Sequence, residues 1–430
     1  QFTYRAELST SCLAARQGIM KITGVETVQV GEFGNLVWVR LYTDEGFVGL
    51  GETFRNPEAT VAYVHETCAP YLIGKDPLCR EARMRELSAK VGNHFNGFPT
   101  RSVEVRGNSA IDIALWDLDG QQLGVPIYRL LGGRTRERVR IYNTCAGGSY
   151  NNKLRQGYNT DLVSRDVPLD APIGPCEDLL MQVHEPARLA SELLEQGITA
   201  MKIWPFDVFA LRNDGADISA AELRQALWPI EQIRGAVGDR MDILIEYHGL
   251  WRLPAALKIA DALREHEIYW HEEPIWMQNF DDLARYRDRV RGRVAGSENL
   301  GTVPWYREVF VRGALDVAHF DIGWIGGVSE GQRIAHLAAA FDRFIAPHDC
   351  TGPVTLIANV HMLAAAPNAL VAETVRSHTS GFYREIVDRM PAIESGFIRP
   401  LEGPGLGAAL SPDLLARSDA RVRLSGARSA

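Results

Sequence analysis

Between residues 133 and 395 the sequence repeats one pattern eight times: a short, almost uninterrupted apolar run, then a stretch whose apolar residues recur at helical spacing. The runs are RVRIYNTC, ITAMKIW, MDILIEY, EIYWHEE, RVAGSE, LDVAHFD, RFIAPHD and ALVAET. Continuous apolar runs describe strands covered on both faces, the situation of a parallel sheet flanked by helices. Eight such units, at a size near the roughly 250 residues usual for the architecture, predict an α/β fold built as a (β/α)8 barrel. Periodicity does not by itself show closure, so an open doubly wound sheet stays the alternative.

The preceding residues 20–132 read as a separate N-terminal α+β capping domain. ITGVETVQV, NLVWVRLYT and GFVGLGETF alternate as a three-strand meander with Asp44-Glu45-Gly46 at the second turn, and helical patterns follow in VAYVHETCAPYLIG, EARMRELSAKVG and NSAIDIALWDLDGQQLG. Residues 1–19 show neither period and read as a leader or an arm packing on a neighbour. Residues 396–430 are strand-and-turn material expected to return to the capping domain. A polar stretch from Gly147 to Pro175 is far longer than an ordinary strand-to-helix loop and is expected to cover the site or meet another subunit.

Composition narrows the class. With 430 residues, 46% hydrophobic and 23% charged, the chain has material for a large core, and its formal net charge of -8 is the opposite of a nucleic-acid footprint. The six cysteines have no CxxC spacing and read as reduced thiols of a cytoplasmic protein. No apolar run reaches the roughly 18 residues that span a bilayer, so no membrane partner is expected.

In a barrel the chemistry sits at the C-terminal ends of the strands, and here those ends are charged. Strand two of the barrel ends at Lys202 and Trp204, strand three at Glu246 and His248, strand four at Glu272, strand five at Glu298, strand six at Asp321, strand seven at His348 and strand eight at Glu373. Glu246, Glu272 and Glu298 are spaced 26 residues apart, which predicts equal height on three consecutive strands. Converging carboxylates repel unless neutralised, so the three are expected to ligate a hard cation, Mg²⁺; pairing with nearby Lys or Arg is the competing reading. Zinc is disfavoured, because neither HExxH nor a Cys pair at ligand spacing occurs. Asp321 and His348 fall on neighbouring strands, where a carboxylate would set the imidazole tautomer for a general base. His248, two residues after Glu246, would point the same way on an extended strand and could act as an acid. The remaining histidines, His319 among them, read as ordinary core or surface residues. No P-loop is present.

Taken together, GFVGLGET, AIDIALWDLDGQQLGVPIYRLLGG, MKIW, IEYH, WHEEP, GSEN, DVAHFDIGWIGGVSE, APHDCTGP and VAET resemble the enolase superfamily, in its mandelate racemase and muconate lactonizing enzyme branch. The resemblance runs from Met20 over nearly the whole chain. It implies Mg²⁺ on Glu246, Glu272 and Glu298, an Asp321-His348 base, Glu373 on the substrate carboxylate or enolate, and Lys202 polarising that carboxylate. Members usually assemble, so a homo-oligomer is expected.

Family chemistry starts by removing the proton α to a carboxylate, with the charge stabilised by metal and lysine. Members with bases on both faces carry Lys-x-Lys at the second strand; here the motif is Lys202-Ile203-Trp204, and the second lysine is missing. With His248 supplying an acid, the expected reaction is dehydration of an acid sugar, an aldonate or aldarate, to a 2-keto-3-deoxy acid by a lyase. A racemase, epimerase or cycloisomerase is the alternative, and a non-catalytic metal-binding barrel a third. Trp204 is expected to wall the pocket, and Asn35 and His94 in capping loops to meet a polyol.

Overall fold

The computed structural model describes residues 19–88, 102–148, 169, 172–298 and 300–428. Its N-terminal part is an antiparallel meander of β1 (Ile22–Val30), β2 (Leu36–Thr43) and β3 (Val48–Phe54). Val, Ile and Thr dominate β1, as a pleated and nearly covered surface favours. The helix Val103–Leu123 packs along this sheet, opened by Ser102, whose side chain accepts from Val105 N at 3.2 Å, and closed by Gly124 at φ 67°. It is buried on all sides from Val105 to Gly120, because the sheet covers one face and the barrel the other. Gly49 and Gly51 make the contact with β3 possible: a Cβ at either would run into the carbonyl of Ala114 or Ala110.

The barrel is formed by β4 (Val139–Thr144), β5 (Ala200–Ile203), β6 (Asp242–Glu246), β7 (Ile268–Glu272), β8 (Arg293–Gly296), β9 (Val317–Ala318), β10 (Phe344–Ile345) and β11 (Ala372–Thr374). All neighbours pair in parallel, in sequence order, with β11 beside β4. Ile345 N donates to Asn368 O at 3.0 Å and Leu370 N to Ile345 O at 2.9 Å, joining β10 to the segment entering β11. The ring is therefore closed, and the open-sheet alternative does not apply. One interior layer takes a side chain from each strand or its flank: Tyr142, Ala200, Leu244, Trp270, Ala295, Val317, Ala346 and Val371. Tyr142, Leu244 and Trp270 fill the layer, and the small Ala200, Ala295 and Ala346 leave room for them.

A short hairpin, β12 (Ile393–Glu394) and β13 (Phe397–Ile398), pairs antiparallel with the start of β4. The chain then crosses back, and β14 (Ala420–Gly426) pairs antiparallel with β1 from Gly24 opposite Gly426 to Val30 opposite Ala420. Two side chains of β3 stitch the sheet to the barrel: Glu52 accepts from Trp38 Nε1 at 2.7 Å and Thr355 N at 2.9 Å, while Thr53 Oγ1 donates to Gly323 O at 2.7 Å. Among the described residues no helix is long and apolar enough to cross a membrane.

Candidate active site

Strand side chains alternate, so the residues two positions beyond the apolar layer also face inward. They are Thr144, Lys202, Glu246, Glu272, Ser297, His319, His348 and Glu373. At the centre Lys202, Glu272, His319 and Glu373 form a buried quartet of alternating charge, with Glu246 beside Lys202. Lys202 Nζ lies 2.5 Å from Glu272 Oε1, 3.0 Å from Glu373 Oε1 and 3.4 Å from Glu246 Oε2. His319 Nε2 lies 3.1 Å from Glu272 Oε1 and 3.3 Å from Glu373 Oε2, and its Nδ1 lies 2.5 Å from Ala346 O. Burial alone would discharge both cations, but Glu272 and Glu373 override it: Lys202 is held well above the usual lysine range and His319 is pushed up to about 10. Burial and the neighbouring Glu272 push Glu246 well up, whereas Glu272 is held well below the carboxylate range against its burial by His319 and Lys202.

This donor set fits a hard divalent cation. Glu246 and Glu272 are directly paired in the β6–β7 register, and Glu272, Glu298 and His319 each bring one ligand-type atom within 4.8 Å of the others. Carboxylate oxygens are the donors such an ion prefers; among the described residues Glu272 and Glu298 converge with His319, Glu246 stands beside Glu272, and Lys202 lies against Glu246 and Glu272.

Two imidazoles flank this centre, each bonded through Nδ1 to an aspartate. His348 Nδ1 is 2.8 Å from Asp321 Oδ2, and Asp321 also accepts from Thr351 Oγ1 at 2.6 Å and Gly323 N at 2.7 Å. His348 Nε2 is left facing Glu298 Oε2 at 3.1 Å. Burial lowers the His348 pKa, and Glu298, Glu373 and Asp321 more than compensate, so the net direction is upward. His248 Nδ1 is 2.5 Å from Asp207 Oδ2, in the short helix Asp207–Ala210 after β5, and Trp204 meets its ring edge-on at 5.8 Å. Here too burial is outweighed, by Asp207, and the pKa rises. Arg55, Thr144, Lys202, Trp204, Glu246, His248, Glu298, Trp324, His348 and Cys350 line one common cavity.

Several placements differ from those read in the sequence. Glu272 pairs with Ala295, so Glu298 lies three residues beyond the level its spacing implied. Gly296 at φ 151° and Ser297 at φ 86° turn the chain, and Glu298 reaches the site from a bend rather than a strand. His248 is not on an extended strand: β6 ends at Glu246, and His248 takes φ 49°, reaching the cavity through a left-handed turn. His319 is no ordinary core histidine but part of the central quartet. Glu373 does not line the cavity; it is buried among Lys202, His319, Thr144 Oγ1 and Asp349 N. Trp204 does line it. Asn35 does not, but its carbonyl accepts from Arg55 N at 2.8 Å and so helps hold a residue that does. His94 and most of the Gly147–Pro175 stretch lie outside the described residues, as do residues 1–18. Arg55, Thr144, Asp207, Trp324 and Cys350 were not singled out; of these Asp207 and Arg55 sit just past strand ends, where side-chain parity gives no signal.

Comparison with known proteins agrees with this architecture. The family described as mandelate racemase / muconate lactonizing enzyme, N-terminal domain, matches residues 20–132, and the enolase C-terminal domain-like family matches residues 185–414. The chain belongs to the enolase superfamily, in the mandelate racemase and muconate lactonizing enzyme branch. Similar curated proteins include a D-gluconate dehydratase of Thermoproteus tenax, 30% identical over 88% of this chain and 69% of the relative. A D-galactonate dehydratase of Ralstonia nicotianae is 28% identical over 92% of this chain and 94% of its own. Among solved structures, an enolase of the mandelate racemase subgroup from Agrobacterium tumefaciens is 41% identical with a TM-score of 0.81, covering 95% of this chain and all of the other. An enolase protein from Sargasso Sea environmental sequence is 37% identical with a TM-score of 0.82 over the same shares.

Proposed function

We propose that the protein is a hydro-lyase that dehydrates an acid sugar, an aldonate or aldarate, to a 2-keto-3-deoxy acid. The observation that carries this reading is the pair His348 and His248 on one cavity with Lys202, at a site whose second-strand motif has Trp204 where a second lysine would serve a racemase. The relatives named above as dehydratases of gluconate and galactonate, and a D-xylonate dehydratase of Haloferax volcanii that is 29% identical over 91% of this chain and 87% of its own, support the same class.

Glu246, Glu272 and Glu298 would hold the divalent cation, for which we propose Mg²⁺; when bound it supplies Lewis-acid stabilisation of negative charge on the substrate carboxylate. Lys202, charged and fixed by its glutamates, adds a second positive centre beside that carboxylate. His348, its Nδ1 committed to Asp321, takes the α-proton on Nε2. The electron pair left on Cα forms the double bond to Cβ, and the Cβ–OH bond breaks. His248 delivers a proton to the departing oxygen, so the group leaves as water, and the enol tautomerises to the 2-keto acid.

A stereochemical library of four- to six-carbon aldonic, aldaric and uronic acids, assayed with Mg²⁺ for 2-keto acid and by NMR in D₂O, tests the reading. The expected result is water loss from a narrow set of stereoisomers, with His348→Asn stopping deuterium exchange at Cα. Deuterium uptake or rearrangement without water loss would overturn it in favour of a racemase or cycloisomerase.

A further inference from the structure

We propose that Asp207 is a positioning residue for the protonation of the leaving hydroxyl: its buried carboxylate fixes the ring and tautomer of His248 so that Nε2 is the nitrogen presented to the substrate. This rests on the reading of His248 as the acid.

The contact joins two elements 41 residues apart in sequence, with Asp207 Oδ2 2.5 Å from His248 Nδ1. Asp207 is 2% exposed at its side chain, and its other oxygen, Oδ1, has no hydrogen-bond partner among the described residues. A carboxylate buried with one unsatisfied oxygen is costly unless a positively polarised partner compensates it. An asparagine could turn its NH2 toward Nδ1 as readily as its oxygen, whereas a carboxylate only accepts, so aspartate is the side chain that fixes the proton on Nδ1. Asp321 shows the contrast: both of its oxygens are occupied by Gly323 N, Thr351 and His348, whereas Asp207 serves His248.

The histidine needs such a guide. Its backbone is left-handed at φ 49°, outside the strand that would otherwise direct its side chain. Asp207 holds Nδ1, the Trp204 edge limits ring rotation, and the backbone N–H donates to Glu246 Oε1 at 2.6 Å. With Nδ1–H committed to Asp207, the proton delivered to the substrate is the one on Nε2. Trp204 thereby gains a second role as the wall against which this ring is set.

The test compares wild type, Asp207→Asn, Asp207→Glu and His248→Asn on the substrate found by the library, recording Cα deuterium exchange and water loss separately with kcat and KM. Asp207→Asn is expected to lower kcat for dehydration about 100-fold or more, within the range of general acid catalysis, while exchange stays within about threefold and KM holds. Asp207→Glu should recover part of the loss. Equal loss of exchange and dehydration, or unchanged dehydration, would overturn the proposal. Unimpaired dehydration in His248→Asn would instead remove the acid reading itself, and this proposal with it. Should the Asp207 variants fail to fold, nitrogen NMR of the wild-type protein labelled at histidine decides: neutral His248 protonated on Nδ1 supports the assignment, and protonation on Nε2 refutes it.

Discussion

Replacing Lys202 with Met would show how the central quartet is balanced. Met keeps the length and apolar stem of lysine, so packing survives while the charge is lost. Nζ lies within 2.5, 3.0 and 3.4 Å of Glu272, Glu373 and Glu246, and the lysine and these partners are at most 4% exposed. Removing one partner of such a buried pair costs about 3–5 kcal/mol, because the opposite charge is left without compensation. For 430 residues, at about 2.1 cal/mol/K each, the entropy of unfolding is about 0.9 kcal/mol/K, so the metal-free variant should melt about 3–6 °C below wild type. At the proposed metal site, added Mg²⁺ would no longer compete with an ammonium for Glu272. Each tenfold gain in affinity would add about 1.4 kcal/mol at saturating metal, or about 1.5 °C, to the stabilisation that metal confers. Differential scanning calorimetry in EDTA and in millimolar MgCl₂ measures both terms. A metal-free variant melting within a degree of wild type, or identical metal shifts in the two proteins, would refute the assignment of Lys202 as the compensating charge.

Gly51→Ala should destabilise the capping sheet by at least the roughly 1–3 kcal/mol typical of overpacking, since the new methyl would meet the backbone of the Val103–Leu123 helix; unchanged melting would mean that helix and β3 are not in direct contact. His361 stacks on Tyr128 and is pulled down to about 4 by burial, so its contribution to stability is complete above the unfolded value near 6.5 and is lost as pH falls through about 4. His361→Phe, which keeps the stack, should flatten the fall of stability between pH 6.5 and 4 by up to one linked proton; equal slopes in calorimetry would show that this group is not among those that charge on unfolding.

The barrel was legible because burial on both faces writes itself as apolar runs, and closure adds only the short contact between Ile345 and residues 368–370. Lys202, Glu246 and Glu272 were legible for the same reason: Glu246 and Glu272 end their strands, Lys202 stands one residue before the end of its own, and Glu246 pairs with Glu272 as equal spacing implies. Glu298 shows where spacing stops being a ruler, since the turn at Gly296 and Ser297 inserts residues that no period records. His319 carried a usable signal, being two residues beyond Val317 on the inward parity, yet an isolated histidine among apolar neighbours looks like core until its carboxylate partners are in place. Asp207 and Arg55 carried none, because each lies past a strand end and meets the site only through the closed three-dimensional arrangement.

The pairing of β1 with β14 bears on the order in which the molecule can be assembled. Residues 22–54 emerge early in synthesis, but the partner that covers the outer edge of β1 arrives about 400 residues later, after every barrel strand. Until then a run of unpaired backbone donors and acceptors is open to the wrong strand, and such a long-range pairing is entropically slow to find. During synthesis the barrel strands therefore appear while the edge of β1 is still unpaired, and that edge is sealed only once residues 420–426 are available. Removing residues 420–426 should leave the barrel sequence untouched and yet yield a protein prone to associate through β1.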